Sequence, residues 1–205
     1  MLQTADFSYA LPGTMDYWDP LLINSIAKAR PVILFDNAGV GQSTGSVADS
    51  IAGMAQHAIV FLQAINVEKV DLFGFSMGGY ITPLVYLNGP EGLVRKLVIA
   101  GSGPSFGEDL VQPSSERAKK VGKWAGQPYP DYDNCFHGLF FDPHELSQAA
   151  GYAWWARVHE RDVATSGEER SQLVSAGYKD GGKGIQAMLK AGQSFLDPSL
   201  RLVVQ

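Results

Sequence analysis

The stretch Lys69-Val-Asp-Leu-Phe-Gly-Phe-Ser76-Met-Gly-Gly-Tyr80 decides the fold of this chain. Its apolar residues 70–73 predict a buried strand, and the apolar segment 80–87 is compatible with a helix. Between them, Gly74, Ser76 and Gly78 have the spacing G-x-S-x-G. A strand, a sharp turn and a helix in this order lift the serine hydroxyl above the carboxyl edge of a sheet. The stretch therefore predicts a nucleophile elbow with Ser76 at its tip.

Two features of this turn carry the chemical prediction. Glycine at positions 74 and 78 removes the side chains that would collide with the backbone of so tight a bend. The amide of Met77 would open the following helix, where it could stabilise an anion. The alternative is a Gly-Ser turn that joins a strand to its helix without any chemistry. Because 23 of the 205 residues are glycine, the motif alone is weak, and its strand and helix context favours the elbow.

Length and composition indicate one globular domain with a substantial core. The chain has 205 residues, of which 45% are hydrophobic and 18% are charged. Its net charge of −5 gives no electrostatic case for nucleic acid or for an anionic membrane as a partner. The single cysteine, Cys135, excludes an internal disulfide framework. No apolar run is long enough to span a membrane, and residues 1–10 lack the pattern of a signal peptide, so we expect a cytoplasmic protein.

A glycine-rich loop, residues 37–45, follows a predicted strand and invites comparison with phosphate-binding loops. A P-loop would need glycine and lysine where this chain has Asp36 and Gln42. The dinucleotide motif fails at Thr44, where it needs glycine. We therefore expect no nucleotide cofactor and no metal, and a turn near the carboxyl edge of the sheet.

Helices and strands alternate up to about residue 101, which predicts a doubly wound α/β fold. Residues 31–36 indicate a strand buried on both faces, residues 94–101 a further strand, and residues 7–11 a short one. Residues 17–29 and 46–66 indicate helices. Asp16 or Asp19 would cap the first helix, and Asp49 or Ser50 the second.

The sequence pattern changes after Ser102: the chain is predicted to be helical and is rich in aromatic residues. Helices are predicted at 115–124, from a capping box at Asp142 through His159, after a second capping box at 165–168, and at 184–195. The aromatic residues could form a small helical core or a lid that lines an apolar pocket above Ser76. We expect a partial core at residues 1–103, a helical cap at 104–198 and the start of a further core strand at 199–205.

Three motifs in order carry a family resemblance: Gly13-Thr-Met-Asp-Tyr-Trp18, Phe35-Asp-Asn-Ala-Gly-Val-Gly-Gln-Ser43 and Gly74-Phe-Ser-Met-Gly-Gly79. With them the chain resembles the α/β-hydrolase superfamily, in particular its capped small-molecule hydrolases and cofactor-free, haloperoxidase-like perhydrolases. The resemblance implies a mostly parallel sheet of three to four strands, flanking helices and a helical cap. It also implies hydrolysis of small carboxylic esters or related acyl substrates, with Ser76 as nucleophile and the Met77 amide as an oxyanion donor.

The chain departs from the family at the other members of the site. The family's second oxyanion donor follows a histidine; here Tyr9-Ala10-Leu11-Pro12 occupies that place, which leaves Leu11 as the candidate. The family's acid and histidine follow two further strands, and this chain ends near the first of them, so we expect truncation at both ends. Candidate substitutes for the missing groups are His137, which lies beside Phe136 and Phe140, then His144, His159 and Asp109.

Without the family acid and histidine, we expect weak or no activity. The alternatives are a non-catalytic ligand-binding or interaction module and a fragment without an independent role. In each case the strand Val94–Gly101 would form an exposed apolar edge, and we expect self-association there.

Overall fold

The structure is a computed structural model that describes residues 15–40, 43–103, 137–138, 140–160, 187 and 190–191, together with the backbone of 3–7. Several predictions lie outside these residues. They concern Leu11, Asp109, residues 115–124, residues 165–168 and residues 199–205.

Four parallel strands form one sheet, which confirms the predicted parallel sheet of three to four strands. They are β1 (Gln3–Phe7), β2 (Val32–Phe35), β3 (Val70–Phe75) and β4 (Val94–Ala100), in the spatial order β2-β1-β3-β4. Strand β1 begins before the strand predicted at residues 7–11, of which only Phe7 lies among the described residues. Its sequence, QTADF, is not an apolar run, and its place follows from pairing with β2 on one side and β3 on the other.

Helices connect and cover the strands. A short 3-10 helix, Met15–Tyr17, precedes α1 (Pro20–Ala27), and α2 (Ile51–Ala64), α3 (Gly78–Asn88) and α4 (Glu145–Val158) follow. Of the predicted caps, Asp19 accepts a hydrogen bond from the Leu21 amide at 2.9 Å. Ser50 accepts one from the Gly53 amide at 3.1 Å. Residues 187, 190 and 191 are helical, inside the predicted helix 184–195.

Two predicted details of these elements are wrong. The cap of α4 is His144, not Asp142, because the Asp142 carboxylate accepts the His144 amide at 3.1 Å and forms a turn before the helix. Strand β2 is half-buried along its length and not buried on both faces. It is the end strand of the sheet in the order described, so one of its edges has no neighbouring strand among the described residues.

The main core lies between the sheet and helices α2 and α3. Its most deeply buried side chains are apolar residues of β3 and of these two helices: Ile51, Met54, Leu62, Val70, Leu72, Ile81 and Val85. A second, smaller core joins the 3-10 helix to α4 through Tyr17, Trp154 and Val158. Within the described residues, no helix combines the length and apolar character needed to cross a membrane.

Among the described strands, β4 lies at the other end of the sheet, and it carries a bulge. Its register with β3 runs from Val70↔Val94 directly to Asp71↔Lys96, so Arg95 is one extra residue on β4. The Arg95 side chain donates from Nε to Asp71 on β3 at 2.7 Å. Beyond the bulge the register is regular, and about half of the Val98 side chain is exposed at 47%.

The carboxylate of Asp71 is held by two arginines although it is only 7% exposed. Besides Arg95, Arg30 donates from Nη1 at 2.8 Å. The hydrogen bond from Arg95 is the main reason why the pKa of Asp71 is lowered, and burial opposes that shift. This ion cluster ties the segment after α1 and strand β4 to the middle of the sheet.

Candidate active site

Ser76 lies where the strand order favours a ligand crevice. From β1 the chain crosses to β2 on one side of the sheet and later to β3 on the other side of β1. In open α/β sheets, ligands bind beyond the carboxyl ends of the strands at such a reversal. Strand β3 ends at Phe75, and Ser76 is the next residue. The turn that carries Ser76 therefore lies where a ligand-binding site is expected in such a fold.

The turn at Ser76 is a strained bend between strand and helix. Ser76 has a φ of 53°, in the left-handed region of backbone conformation that residues other than glycine seldom adopt. Its amide donates to the carbonyl of Ala100 on β4 at 3.0 Å. A Cβ built on Gly74 would lie 2.4 Å from the carbonyl oxygen of Gly78, so only glycine fits at this point of the bend. Strain held in this way is a feature of functional turns.

Backbone amides follow Ser76 at the start of α3. The Gly79 amide donates to the Ser76 carbonyl and the Tyr80 amide to the Met77 carbonyl, both at 3.0 Å. In the part of the chain that the structure describes, the amides of Met77 and Gly78 have no backbone acceptor. Met77 is the N-cap residue of α3, so its amide lies at the helix start, and its side chain is buried in the main core at 7% exposure. These two amides can therefore donate to a bound anion.

Hydrogen bonds of Asp36 and Ser43 fix the loop after β2. Asp36 is buried, with 8% of its surface exposed, and its carboxylate accepts a hydrogen bond from the Met15 amide at 2.7 Å. The Ser43 hydroxyl donates to the Asp36 carbonyl at 2.7 Å. Gly39 has a φ of 76°, and a Cβ there would lie 2.6 Å from the Val47 amide nitrogen. Asp36, Gly39 and Ser43 therefore shape the loop and link it to the segment before α1.

Aromatic rings cover the face of β3 opposite to α3. Trp18 packs edge-on against Phe73 and Phe75, with ring centroids 5.5 and 6.3 Å apart. The Phe140 ring lies 5.7 Å from Phe75. Because Phe75 directly precedes Ser76, this contact brings the helical segment after residue 136 next to the bend.

Helix α4 is fixed to the segment before α1 by an ion pair and by ring contacts. Arg157 donates to the two carboxylate oxygens of Asp19 at 2.8 and 2.7 Å. The same carboxylate caps α1, and its pKa is lowered chiefly by the hydrogen bond from Arg157. The rings of Tyr17 and Trp154 lie 6.5 Å apart beside this pair. No pattern along the chain indicates this pair, since its partners are 138 residues apart.

His137 is buried in the aromatic part of the helical segment. It is 5% exposed, and its ring lies 4.2 Å from that of Tyr152 and 5.9 Å from that of Phe141. A Cβ on Gly151 would lie 3.0 Å from the imidazole, so α4 approaches the ring closely. The contacts seen for His137 thus include the rings of α4 and of the segment before it.

The other two histidines that follow Ser76 have structural contacts in the same segment. His144 caps α4, where its Nδ1 accepts the Leu146 amide at 3.4 Å. His159 ends that helix, with Nδ1 2.7 Å from the Trp155 carbonyl oxygen. Among the described residues there is no group of three or more His, Cys, Asp or Glu side chains that could hold a metal ion.

The turn after β4 reaches the bend, which the sequence did not indicate. Gly101 has a φ of 56°, and a Cβ there would lie 2.7 Å from the Phe75 ring. Ser102 then packs on Gly79, where a Cβ would lie 2.6 Å from the Ser102 hydroxyl oxygen. A second hydroxyl therefore lies against the first turn of α3.

Comparison with known proteins identifies a family model and several similar proteins. A family model described as alpha/beta hydrolase fold matches residues 7–157. The chain is 36% identical over 190 residues to "Putative carbamate hydrolase RutD" of Azorhizobium caulinodans, and this match covers 92% of the chain and 63% of that protein. The protein of the same name from Serratia proteamaculans is 34% identical over 105 residues, covering 50% of the chain and 39% of its own length.

A solved structure agrees with these sequence matches. An alpha/beta hydrolase fold protein from Chitinophaga pinensis superposes with a TM-score of 0.74 at 27% identity. That match covers 95% of this chain and 63% of the other. The chain thus spans less than two thirds of the length of each of these three proteins.

Proposed function

Because the chain belongs to the alpha/beta hydrolase fold family, we propose that it hydrolyses small carboxylic esters or related acyl substrates with Ser76 as the nucleophile. Carbamates are acyl compounds of this kind, and the two relatives described above carry the printed name "Putative carbamate hydrolase RutD". The observation that carries the proposal is the left-handed φ of 53° at Ser76, directly between strand β3 and helix α3. A serine held in a strained bend at this edge of the sheet is expected for a nucleophile.

The proposed reaction has two steps. The Ser76 oxygen bonds to the carbonyl carbon, and the Met77 amide donates to the oxygen on which negative charge develops. The bond to the leaving group then breaks, and the leaving group departs with the proton of the hydroxyl. A water molecule adds to the acyl carbon, releases the acid and returns the hydroxyl of Ser76.

The proposed turnover is slow. Support comes from His144 and His159, whose described hydrogen bonds join them to the segment of α4 and not to Ser76. A serine without its general base loses about 10⁴- to 10⁶-fold in turnover and keeps only the help of the oxyanion donors. The protein should therefore react with strong acylating or phosphonylating reagents more readily than it turns over unactivated esters.

Covalent labelling tests the proposal directly. The protein is incubated with an alkyl fluorophosphonate, and the modified peptide is identified by mass spectrometry. We expect labelling at Ser76, no labelling in Ser76→Ala, and ester and carbamate hydrolysis that disappears in the same variant. Ser25→Ala is the matched control, because the Ser25 hydroxyl donates to the Leu21 carbonyl on the exposed side of α1. An unlabelled Ser76 contradicts the proposal, and saturable ligand binding without labelling favours the non-catalytic binding module.

The partner proposed for strand β4 is a second copy of this chain. The regular part of β4 exposes Val98 and Ile99, which are 47% and 46% accessible. If two copies pair antiparallel about Val98, Ile99 of each lies opposite residue 97 of the other. The cationic residues Arg95 and Lys96 of the two copies then lie at opposite ends of the contact, whereas parallel stacking would bring them together. This charge pattern favours a two-fold antiparallel pair.

A further inference from the structure

The end of strand β4 contacts the turn that carries Ser76. The Ser76 amide donates to the carbonyl of Ala100, the last residue of β4, at 3.0 Å. A Cβ on the next residue, Gly101, would lie 2.7 Å from the Phe75 ring, so the chain stays close to the residue before Ser76 as it leaves the strand. The position of the turn therefore depends on the position of the end of β4.

The same strand has an open edge. In the described sheet order, β4 has β3 on one side and no strand on the other. The Ala100 carbonyl points to the β3 side, because it accepts the amide of Ser76, the residue that follows β3. Successive residues of a strand direct their backbone groups to opposite edges, so those of Leu97 and Ile99 point to the open edge. Hydrogen bonds made there would fix Ile99, the residue directly before Ala100.

Pairing of two copies would use these outward backbone groups. In the antiparallel arrangement proposed above, which is centred on Val98, Leu97 of one copy lies opposite Ile99 of the other. Opposed residues whose backbone groups face each other exchange hydrogen bonds in both directions. The two-fold axis repeats this exchange, so β4 of each copy gains bonds at Leu97 and at Ile99. The register that the charges of Arg95 and Lys96 favour is therefore also the one in which the outward backbone groups meet.

We propose that pairing of two copies through β4 regulates the Ser76 site. In a single copy, β3 is the only described strand that is bonded to β4, and the end of a strand held on one edge opens at a low cost in free energy. In the pair, β4 is bonded on both edges up to Ile99. The Ala100 carbonyl then holds the Ser76 amide for a larger fraction of the time, and a nucleophile held in position reacts faster. This inference rests on the function and the pairing proposed above, and it adds that self-association activates the site.

Amide hydrogen exchange tests the coupling without requiring a working nucleophile. Exchange of the Ser76 amide is measured by NMR in wild-type protein below and above the concentration at which gel filtration shows dimers. Because pairing adds hydrogen bonds next to Ala100, we expect this exchange to be about five- to tenfold slower in the dimer. The slowing at Ser76 should exceed that of the amides of α2, which report on global opening.

Val98→Lys and Val60→Lys are matched variants for this experiment. The two side chains are similarly exposed, at 47% and 52%, but Val98 lies on β4 and Val60 on α2. Val98→Lys should show the exchange rate of dilute wild type at every concentration, whereas Val60→Lys should behave as the wild type does. Labelling of Ser76 by fluorophosphonate should be about five- to tenfold faster in dimeric wild type than in Val98→Lys at the same concentration.

The possible failures can be told apart. If the wild type forms dimers but Ser76 is labelled no faster in them, or its amide is protected no more than those of α2, the regulation is overturned and the pairing stands. A wild type that remains monomeric overturns both the pairing and the regulation. If Ser76 resists labelling but its amide is protected in the dimer, the proposed nucleophile fails, while the coupling between β4 and the turn is supported.

Discussion

Replacing Gly74 by alanine should destabilise the protein strongly, because the added methyl group has no space. Its carbon would lie 2.4 and 2.6 Å from the carbonyl oxygen and carbon of Gly78 and 2.8 Å from the amide nitrogen of Gly79. Ordinary contacts of this kind begin at 3.4 Å, so the strand end and the helix start must separate by about 1 Å. All three atoms are backbone, and no side chain can rotate to make room.

Overpacking in a tight core usually destabilises by about 1 to 3 kcal/mol, and we expect Gly74→Ala at the upper end, about 3 kcal/mol. With a urea m-value of about 2 to 3 kcal/mol/M, the unfolding midpoint should fall by about 1 M or more. Urea unfolding followed by tryptophan fluorescence measures this shift. The displaced bend should also slow labelling of Ser76 by fluorophosphonate.

Gly103→Ala is the matched control, since Gly103 also follows a strand at this edge of the sheet and a Cβ there meets nothing within 4 Å. It should stay within about 0.5 kcal/mol of the wild type. If Gly74→Ala unfolds at the same urea concentration as Gly103→Ala, the tight bend is not present in solution. The argument from strain at Ser76 would then fail as well.

Further predictions concern strain, charge and association. Ser76→Gly should be more stable than Ser76→Ala by about 1 kcal/mol in urea unfolding, because glycine adopts the left-handed φ without strain. Asp71→Asn should lower thermal stability at neutral pH. The difference in thermal stability between this variant and the wild type should shrink as the pH falls below 3.8, the ordinary pKa of the carboxyl group, toward the lowered pKa of Asp71. Arg157→Leu should increase hydrogen exchange in α4 while leaving that of α2 unchanged, because the ion pair joins α4 to the cap of α1. Val98→Lys should remove concentration-dependent dimers on gel filtration, whereas Val60→Lys, at a residue that is similarly exposed at 52%, should not.

Each of these has a contradicting result. Equal stability of the two Ser76 variants would argue against the left-handed bend. If the difference in thermal stability between the wild type and Asp71→Asn grows on acidification, the prediction is contradicted. A carboxyl group with a lowered pKa stabilises the fold only while it is ionised. Uniform hydrogen exchange changes after Arg157→Leu would indicate global destabilisation. A wild type that is monomeric at every concentration contradicts pairing through β4.

The strand, bend and helix around Ser76 could be predicted from the sequence because their signal is local. Gly74 and the apolar run of β3 lie within a few residues of Ser76, and the structure has a strand, a bend and a helix there. The caps Asp19 and Ser50 were also predictable, since a cap bonds to an amide two or three residues away. Such features depend on the residues beside them and on little else.

The features that the sequence did not predict depend on distant contacts. Strand β1 has polar residues and takes its place from the two strands beside it. The Asp19–Arg157 pair joins residues 138 apart, and no pattern along the chain indicates it. One error is local: the sequence predicted the cap of α4 at Asp142, but a turn made by that aspartate moves the cap to His144.

The extra residue Arg95 limits what can join the outer strand of the sheet. Long, flat and unprotected strands can stack into cross-β fibrils, for which segments of about six or seven residues are typical. Here Arg95, which is bonded to Asp71, interrupts the regular register near the start of β4, and only the part after the bulge is in regular register. That part is too short to serve as a fibril template, so exposure of this strand should lead to small, reversible assemblies and not to amyloid.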